Sequence, residues 1–160
     1  MSWDVLFYDE ATHTAYRVQA KRMTVGDGIA ADTLQDEIAR RDDLQGRALL
    51  TLTGSYPLLR HGSAAAEIAA CSEPPAVGEN GLPVLPDDLP WYALDLTEAA
   101  FWALDEYLLL AWLDAVLVKN PHRDQRYERL KKSMMQVLST TPTPAATPVS
   151  VTSASGPGKT

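Results

Sequence analysis

The chain has 160 residues, of which 46% are hydrophobic and 22% charged, as is usual for a single folded domain with a sizeable core. Its net charge of −7 argues against a general affinity for nucleic acid, and its one cysteine excludes an internal disulfide. The longest apolar run, residues 107–118, is shorter than the roughly 20 residues that cross a bilayer and includes Asp114. The N-terminus has no secretion leader, so we expect a cytoplasmic protein that binds neither membranes nor nucleic acid.

The first predicted element is a β-hairpin over residues 3–20. Residues 3–8 and 12–20 are rich in strand-forming residues, and the sequence Asp9–Ala11 between them favours a turn. Because an isolated hairpin is marginally stable in water, we expect this one to pack against helices.

A helix is predicted next, over about residues 26–41. Thr24 or Asp27 can cap its N-terminus, because both side chains accept hydrogen bonds from backbone N–H groups. The apolar spacing places three side chains near one face, with acidic residues on the other. These three are Ile29, Leu34 and Ile38.

A second helix covers about residues 44–60, and Pro57 is expected to kink or break it. Residues 72–91 then contain so many prolines and glycines that they cannot sustain a helix. We predict a long loop there, whose end is held to the core by Trp91 and Tyr92.

The most apolar segment predicts a buried helix over about residues 96–119. Asp95 and Glu98 have the spacing of a capping box at its start, and a break at Leu104-Asp105 is left open. Because apolar residues cover most of its circumference, this helix should be buried on several sides.

Asn120 and Pro121 end that helix and begin another. Asn tolerates a left-handed C-cap, and proline suits the first position of a helix, which we predict over residues 121–138. By helical geometry Arg123 projects onto the apolar stripe of this helix and Arg126 onto its border. The stripe consists of Tyr127, Leu130, Met134, Val137 and Leu138.

The last segment, residues 139–160, contains only small residues, Thr, Ser, Pro and one Lys, so we expect a disordered tail or linker. The predicted fold class is therefore α+β and mostly α-helical. A single domain, residues 1–138, combines the N-terminal hairpin with a bundle of about four to five helices.

Charge is distributed unevenly along the chain. Residues 61–118 contain ten Asp or Glu and no Lys or Arg, whereas residues 119–138 contain six Lys or Arg and two Asp or Glu. These segments can pair internally or offer faces of opposite charge to partners, and two solvated faces are the simpler interpretation.

No pattern of catalytic or metal-binding residues is recognisable. Cys71 is isolated, the three histidines are far apart in sequence, and no phosphate-binding loop is present. We therefore predict no enzyme activity, no metal and no cofactor, and interpret Cys71 as a small buried residue.

Trp102 and Trp112 point in directions roughly 80° apart, so each packs on a different side of the core or one lines a partner groove.

Three segments resemble the tail assembly chaperones of long-tailed bacteriophages. They read YRVQAKRMTVGDGIAADTL, LLTLTGSYPLL and FWALDEYLLLAWLDAVLVKNPHR, and they include the helix start Thr24-Val25-Gly26-Asp27 and the corner Asn120-Pro121-His122. The resemblance covers about residues 14–60 and 91–123, and residues 72–90 depart from it.

The resemblance implies that the protein binds the tape measure protein, keeps it soluble and helps tail tube protein polymerise around it. Such chaperones act in the cytoplasm of the infected host cell and are absent from the mature virion. They are often made in two lengths by a −1 ribosomal frameshift. Residues 139–160 would then be the joint, with Gly158-Lys159 encoded by the slippery run.

A partner helix is predicted to dock on the stripe, and the residues expected to contact it are Arg123, Arg126, Tyr127, Leu130 and Met134. The alternative is that this stripe closes the domain's own core.

Two other functions are alternatives to that of a tail assembly chaperone. One is a structural virion component such as a connector or tail completion protein, and the other is a small acidic inhibitor or immunity-type protein. The sequence also leaves self-association open.

Overall fold

The computed structural model describes residues 2–123 and Lys132. The predicted helix beyond Arg123 and the predicted tail, residues 139–160, lie outside the described residues, apart from Lys132. The described part is a mixed α+β protein, as predicted, with a four-stranded antiparallel sheet and four α-helices.

The sheet begins with the predicted hairpin, formed by β1 (Val5–Asp9) and β2 (Thr14–Ala20). The hairpin does not stand alone, because β3 (Ser63–Ala70) pairs with β2 along its length, and the short β4 (Tyr92–Ala93) pairs with β3. The sequence analysis did not predict β3, since alanine is depleted in strands. Tyr92 is exposed on the edge strand rather than held in the core.

The first two helices are α1 (Val25–Ala39) and α2 (Gly46–His61). Of the kink or break predicted near Pro57, the break is wrong, because α2 continues to His61. Proline has no N–H to donate to the carbonyl four residues earlier, which belongs to Thr53. That carbonyl instead accepts a hydrogen bond from Gln35 Nε2 of α1 at 3.2 Å, so the freed group is satisfied by the neighbouring helix.

The long apolar segment forms two helices, α3 (Glu98–Trp102) and α4 (Glu106–Lys119). The break between these helices falls at Leu104-Asp105, the position at which the sequence analysis had left a break open. The Asp105 side chain caps α4 by accepting a hydrogen bond from the backbone N–H of Tyr107 at 2.8 Å. The predicted capping box of Asp95 and Glu98 is wrong. Thr97 caps α3, and Glu98 instead binds Arg41 at 2.7 Å.

The core lies between the sheet and the helices α2 and α4. Trp112 is fully buried at its centre, and its indole Nε1 donates a hydrogen bond to Ser63 Oγ at 2.8 Å. Trp102 is partly exposed, so the two tryptophans do lie in different environments. The side chains with almost no exposure include Leu52, Leu59, Leu108, Leu113 and Val116.

Candidate partner-binding surface

Asn120 joins two segments that are far apart in the sequence. It is fully buried, and its Oδ1 accepts a hydrogen bond from the backbone N–H of Met23 at 2.9 Å. Its Nδ2 donates to the carbonyls of Val116 at 2.8 Å and Lys21 at 3.0 Å. The end of α4 is therefore fastened to the stretch of chain that leads from β2 into α1.

The backbone of Asn120 differs from the prediction. Its φ of −133° is not left-handed, so the predicted left-handed C-cap is wrong. The side chain satisfies the helix end instead, because its amide carries both donors and an acceptor. Pro121 then starts a short 3-10 helix, Pro121–Arg123, at the place where a new helix was expected.

The start of α1 lies at the same corner and is fixed by a capping box. Thr24 Oγ1 accepts from Asp27 N at 3.1 Å, and Asp27 Oδ2 accepts from Thr24 N at 2.9 Å. The bond from the Thr24 backbone, then the Thr24 hydroxyl and then Lys21 lower the pKa of Asp27 to about 2. The Thr24-Val25-Gly26-Asp27 segment therefore starts a helix as the sequence predicted.

Arg123 packs on α1. Its Nη1 lies 3.2 Å from Asp32 Oδ1 and its Nη2 lies 3.5 Å from the Gly28 carbonyl, and only 11% of the side chain is exposed. A Cβ on Gly28 would come within 3.3 Å of Nη2, so the glycine leaves room for the guanidinium. Arg123 Nε is buried without a hydrogen-bond partner among the described residues.

Arg123 was predicted to contact a partner's acids, and in the structure its acidic contact is Asp32 of its own chain. The other predicted contact residues lie outside the described part of the chain. They are Arg126, Tyr127, Leu130 and Met134.

Two large apolar side chains are exposed on the outer face of α1, next to Arg123. Val25 is 83% exposed and Ile29 is 63% exposed, and we call these two residues the α1 patch. They are one turn apart on the face that also carries Gly28 and Asp32. Ile29 therefore does not share the buried face with Ile38, as the sequence analysis had proposed.

The sequence contained a signal for this outward position. Ile29 and Ile38 are separated by two and a half helical turns, because an α-helix has about 3.6 residues per turn. They must point in opposite directions, whereas Val25 and Ile29 point the same way.

Four of the ten acidic residues of segment 61–118 pair with arginines of the first 60 residues. Arg41 binds Glu98 at 2.7 Å, and Arg47 binds Glu106. The remaining pairs converge on Arg17, which binds Glu67 at 2.6 Å and Asp87 at 3.2 Å. These pairs differ from the pairing with residues 119–138 that the charge pattern allowed, since the described basic residues of that segment, Lys119 and Arg123, pair with Asp4 and Asp32.

Arg17 also holds the long loop to the sheet. Its guanidinium carbon lies 4.4 Å from the ring centroid of Trp3 and 4.1 Å from that of Trp91, and its side chain is 14% exposed. Trp91 Nε1 donates to the Pro86 carbonyl at 3.1 Å. Stacking between two aromatic faces suits the flat guanidinium. Trp91 therefore contacts Arg17 of the sheet and is not among the residues of the core cluster, to which it was predicted to hold the loop.

Open grooves lie elsewhere on the surface of the described residues, and two of them have exposed apolar or aromatic side chains at their borders. One, of about 320 Å³, is bordered by Arg47, Phe101, Trp102 and Leu109. The other, of about 650 Å³, separates β1 from the loop and is bordered by Pro75, Leu82 and Tyr107.

The chemistry of the described residues is limited. Cys71 is buried, as expected, and burial raises the pKa of its thiol, which is the opposite of what a reactive thiolate needs. Among the described residues, no cluster of three or more His, Cys, Asp or Glu could hold a metal ion. Within the same residues, no helix is long and apolar enough to cross a membrane.

No family model, curated protein or solved structure matches this chain.

Proposed function

We propose that this protein is a tail assembly chaperone of a long-tailed bacteriophage and has no catalytic activity. It binds the tape measure protein, keeps it soluble and promotes polymerisation of the tail tube protein around it. It acts in the cytoplasm of the infected host cell, is absent from the mature virion, and has a longer frameshift product that continues beyond residues 139–160.

One observation carries the proposal. Two motifs of the resemblance, residues 24–27 and 120–122, lie at one corner of the fold, where Asn120 accepts a hydrogen bond from the backbone of Met23. The α1 patch is exposed directly beside this corner. The two motifs were recognised by their order and spacing in the sequence, and they are also neighbours in space.

The α1 patch fits a helical partner. Val25 and Ile29 form a one-turn apolar ridge that can pack into the groove of an amphipathic helix. Burial of each side chain contributes about 1.5–3 kcal/mol at most, so one contact is weak. A tape measure protein with repeated apolar stripes would be bound by several copies, each with modest affinity.

We place the predicted contacts Arg126, Tyr127, Leu130 and Met134 in the same binding surface. The side chain of Arg123, the other predicted contact, lies on α1 beside Asp32 and Gly28. Methionine suits a surface that binds non-identical stripes, because its side chain is flexible.

The charge pattern favours this function over an acidic inhibitor. Glu67, Asp87, Glu98 and Glu106 are bound by arginines of the same chain. Their charge is partly neutralised, which weakens the attraction for a basic enzyme. The other alternative, that this protein is a structural virion component, needs a separate test. In that case mass spectrometry would find the protein in purified virions.

The test is coexpression with the tape measure protein from the same phage genome. The chain should raise the soluble fraction of the tape measure protein and copurify with it, and V25D/I29D should lose both effects. V77D/V84D is the matched control, because it places two charges on exposed valines of the loop. Equal solubility of the tape measure protein with and without the chain would refute the proposal.

A further inference from the structure

We propose that the open edge of β1 binds an extended segment of another protein, in which apolar and basic side chains alternate. The segment adds to the sheet as a fifth strand, on the side of β1 that faces away from β2. It lies in the groove of about 650 Å³ that we call the β1 groove, which is lined by residues 6–11, by parts of the long loop, and by Asp105 and Tyr107. None of the lining residues belongs to α1, so the inference is independent of the proposed function.

The first argument is the free edge of the sheet. Within the described residues β1 pairs with β2 alone, so its other side carries backbone N–H and C=O groups that no strand has paired. Residues 6–9 of this strand all line the groove. Because successive side chains of a strand point to opposite faces, a groove lined by four residues in succession runs along the edge of the strand. An extended chain in the groove can therefore form a ladder of hydrogen bonds with β1.

The second argument is that the loop side of the groove is an ordered apolar wall. Two backbone hydrogen bonds close a turn in the loop, from Gly78 N to the Leu82 carbonyl at 2.8 Å and from Val84 N to the Ala76 carbonyl at 2.7 Å. This turn exposes Val77 and Leu82, and both side chains line the groove. Because the turn is already formed, binding there does not have to order it, which lowers the entropy cost.

The opposite wall of the groove is acidic. It consists of Asp105 and the exposed Tyr107 at the start of α4, with Asp9 at the end of β1. Burial raises the pKa of Tyr16, and the charges of Asp9, Tyr92 and Asp105 raise it further, so both carboxylates act at the same ring. A basic side chain on this side would meet these carboxylates, and its cation can also contact the exposed ring of Tyr107.

The positions of the two walls fix the pattern of the bound segment. Leu6 is paired with Arg17, on which Trp91 of the loop stacks, so Leu6 lies on the loop side of β1. Phe7 packs against the core, so Phe7 and Asp9 lie on the helix side. A strand added to β1 continues its pleat, and its side chains alternate between the apolar wall and the acidic wall. Alternating apolar and basic residues match both.

Charge favours a basic segment of another protein over a second copy of this chain. The residues that line the groove include Asp9, Glu10 and Asp105 and no Lys or Arg. Pairing of β1 with β1 of a second copy would bring two sets of acids together, and like charges on neighbouring strands are destabilising.

Titration of the purified full-length chain with a synthetic peptide tests the inference. The probe is an octapeptide, blocked at both ends, in which valine and lysine alternate, and calorimetry measures its affinity. V77K/L82K should weaken binding at least about tenfold, because it removes the apolar wall and repels the peptide. V25K/I29K is the matched control, since it adds the same charges to exposed apolar side chains of α1. Its affinity should change less than about twofold, because distant exposed charges are screened.

Two methylated forms of the peptide test the ladder of hydrogen bonds. One carries methyl groups on the backbone nitrogens of all its valines, and the other on those of all its lysines. Alternate residues of a strand direct their N–H groups to the same neighbour, so one form should bind at least about tenfold more weakly and the other like the unmodified peptide.

Equal affinity of the two methylated forms would overturn the inference, as would equal effects of the two lysine variants. Absence of binding at about 1 mM peptide would overturn it as well. A dimer of the free chain that V77K/L82K dissociates would assign the edge to a second copy and would also contradict the proposal. None of these experiments contains tape measure protein, so failure here leaves the chaperone proposal to its own test.

Discussion

Asn120 Oδ1 accepts a hydrogen bond from the backbone N–H of Met23 at 2.9 Å, although the two residues are separated by most of the folded chain. The same side chain donates to the carbonyls of Lys21 and Val116. One amide thus connects the end of α4 to the start of α1 and positions Arg123 against the acidic face of α1.

Replacement of Asn120 by alanine should destabilise the protein by about 2–4 kcal/mol, because the partly buried N–H of Met23 and two carbonyls lose their partner. Asn120→Asp should cost a similar amount, since it keeps the acceptor but loses both donors. Urea unfolding measures the change. His122→Ala, at an exposed neighbouring position, serves as the control, and a loss as small as that of the control would show that the amide is dispensable.

Replacement of Arg17 by either alanine or lysine should destabilise the protein. Lysine keeps the charge but loses both the flat surface between Trp3 and Trp91 and the paired hydrogen bonds to Glu67. We expect Arg17→Lys to cost about 1–3 kcal/mol and to expose the loop to protease. Limited proteolysis with mass spectrometry measures loop cleavage. Arg22→Lys, on an exposed arginine, should leave the cleavage rate unchanged, and equal rates in the two variants would contradict the role of Arg17.

Asp27 should contribute to acid sensitivity. Its pKa in the folded state, about 2, lies below the ordinary 3.8, so the unfolded state binds more protons between these values. The contribution of Asp27 to stability is therefore present above about pH 4 and is lost as the pH falls toward about 2. Asp27→Asn should flatten this part of the stability curve, measured as urea midpoint against pH. An unchanged curve in Asp27→Asn, compared with exposed Asp42→Asn, would exclude this cause.

Cys71 should react slowly with thiol reagents in the folded protein. Burial both shields the sulfur and raises the pKa of the thiol, so little thiolate is available. Unfolding in urea should accelerate the reaction with a disulfide reagent about tenfold or more, because access and the thiolate fraction both rise. A fast reaction in the native protein would show that Cys71 is accessible and would reopen a chemical role for it.

Elements that depend on neighbouring residues were predictable. The capping box of Thr24 and Asp27 requires only side chains three residues apart, and the hairpin requires two strand-forming stretches and a turn. Burial of the helix around Trp112 followed from its continuous apolar composition. The contacts that stabilise these features lie within a few residues along the chain or follow directly from composition.

Contacts between segments that are distant in the sequence decided the features of the fold that the sequence analysis missed. Ser63–Ala70 is a strand because β2 offers it a full set of hydrogen bonds, which outweighs the weak strand preference of alanine. Likewise, α2 passes Pro57 because Gln35 of α1 satisfies the Thr53 carbonyl. The sequence by itself determined the Thr24–Asp27 cap of α1, the hairpin and the burial of the apolar segment, whose causes are local. The tertiary structure decided the third strand and the unbroken helix, and it decided which of the two opposite faces of α1 is exposed. Backbone partners and solvent exposure are set by segments far away in the chain.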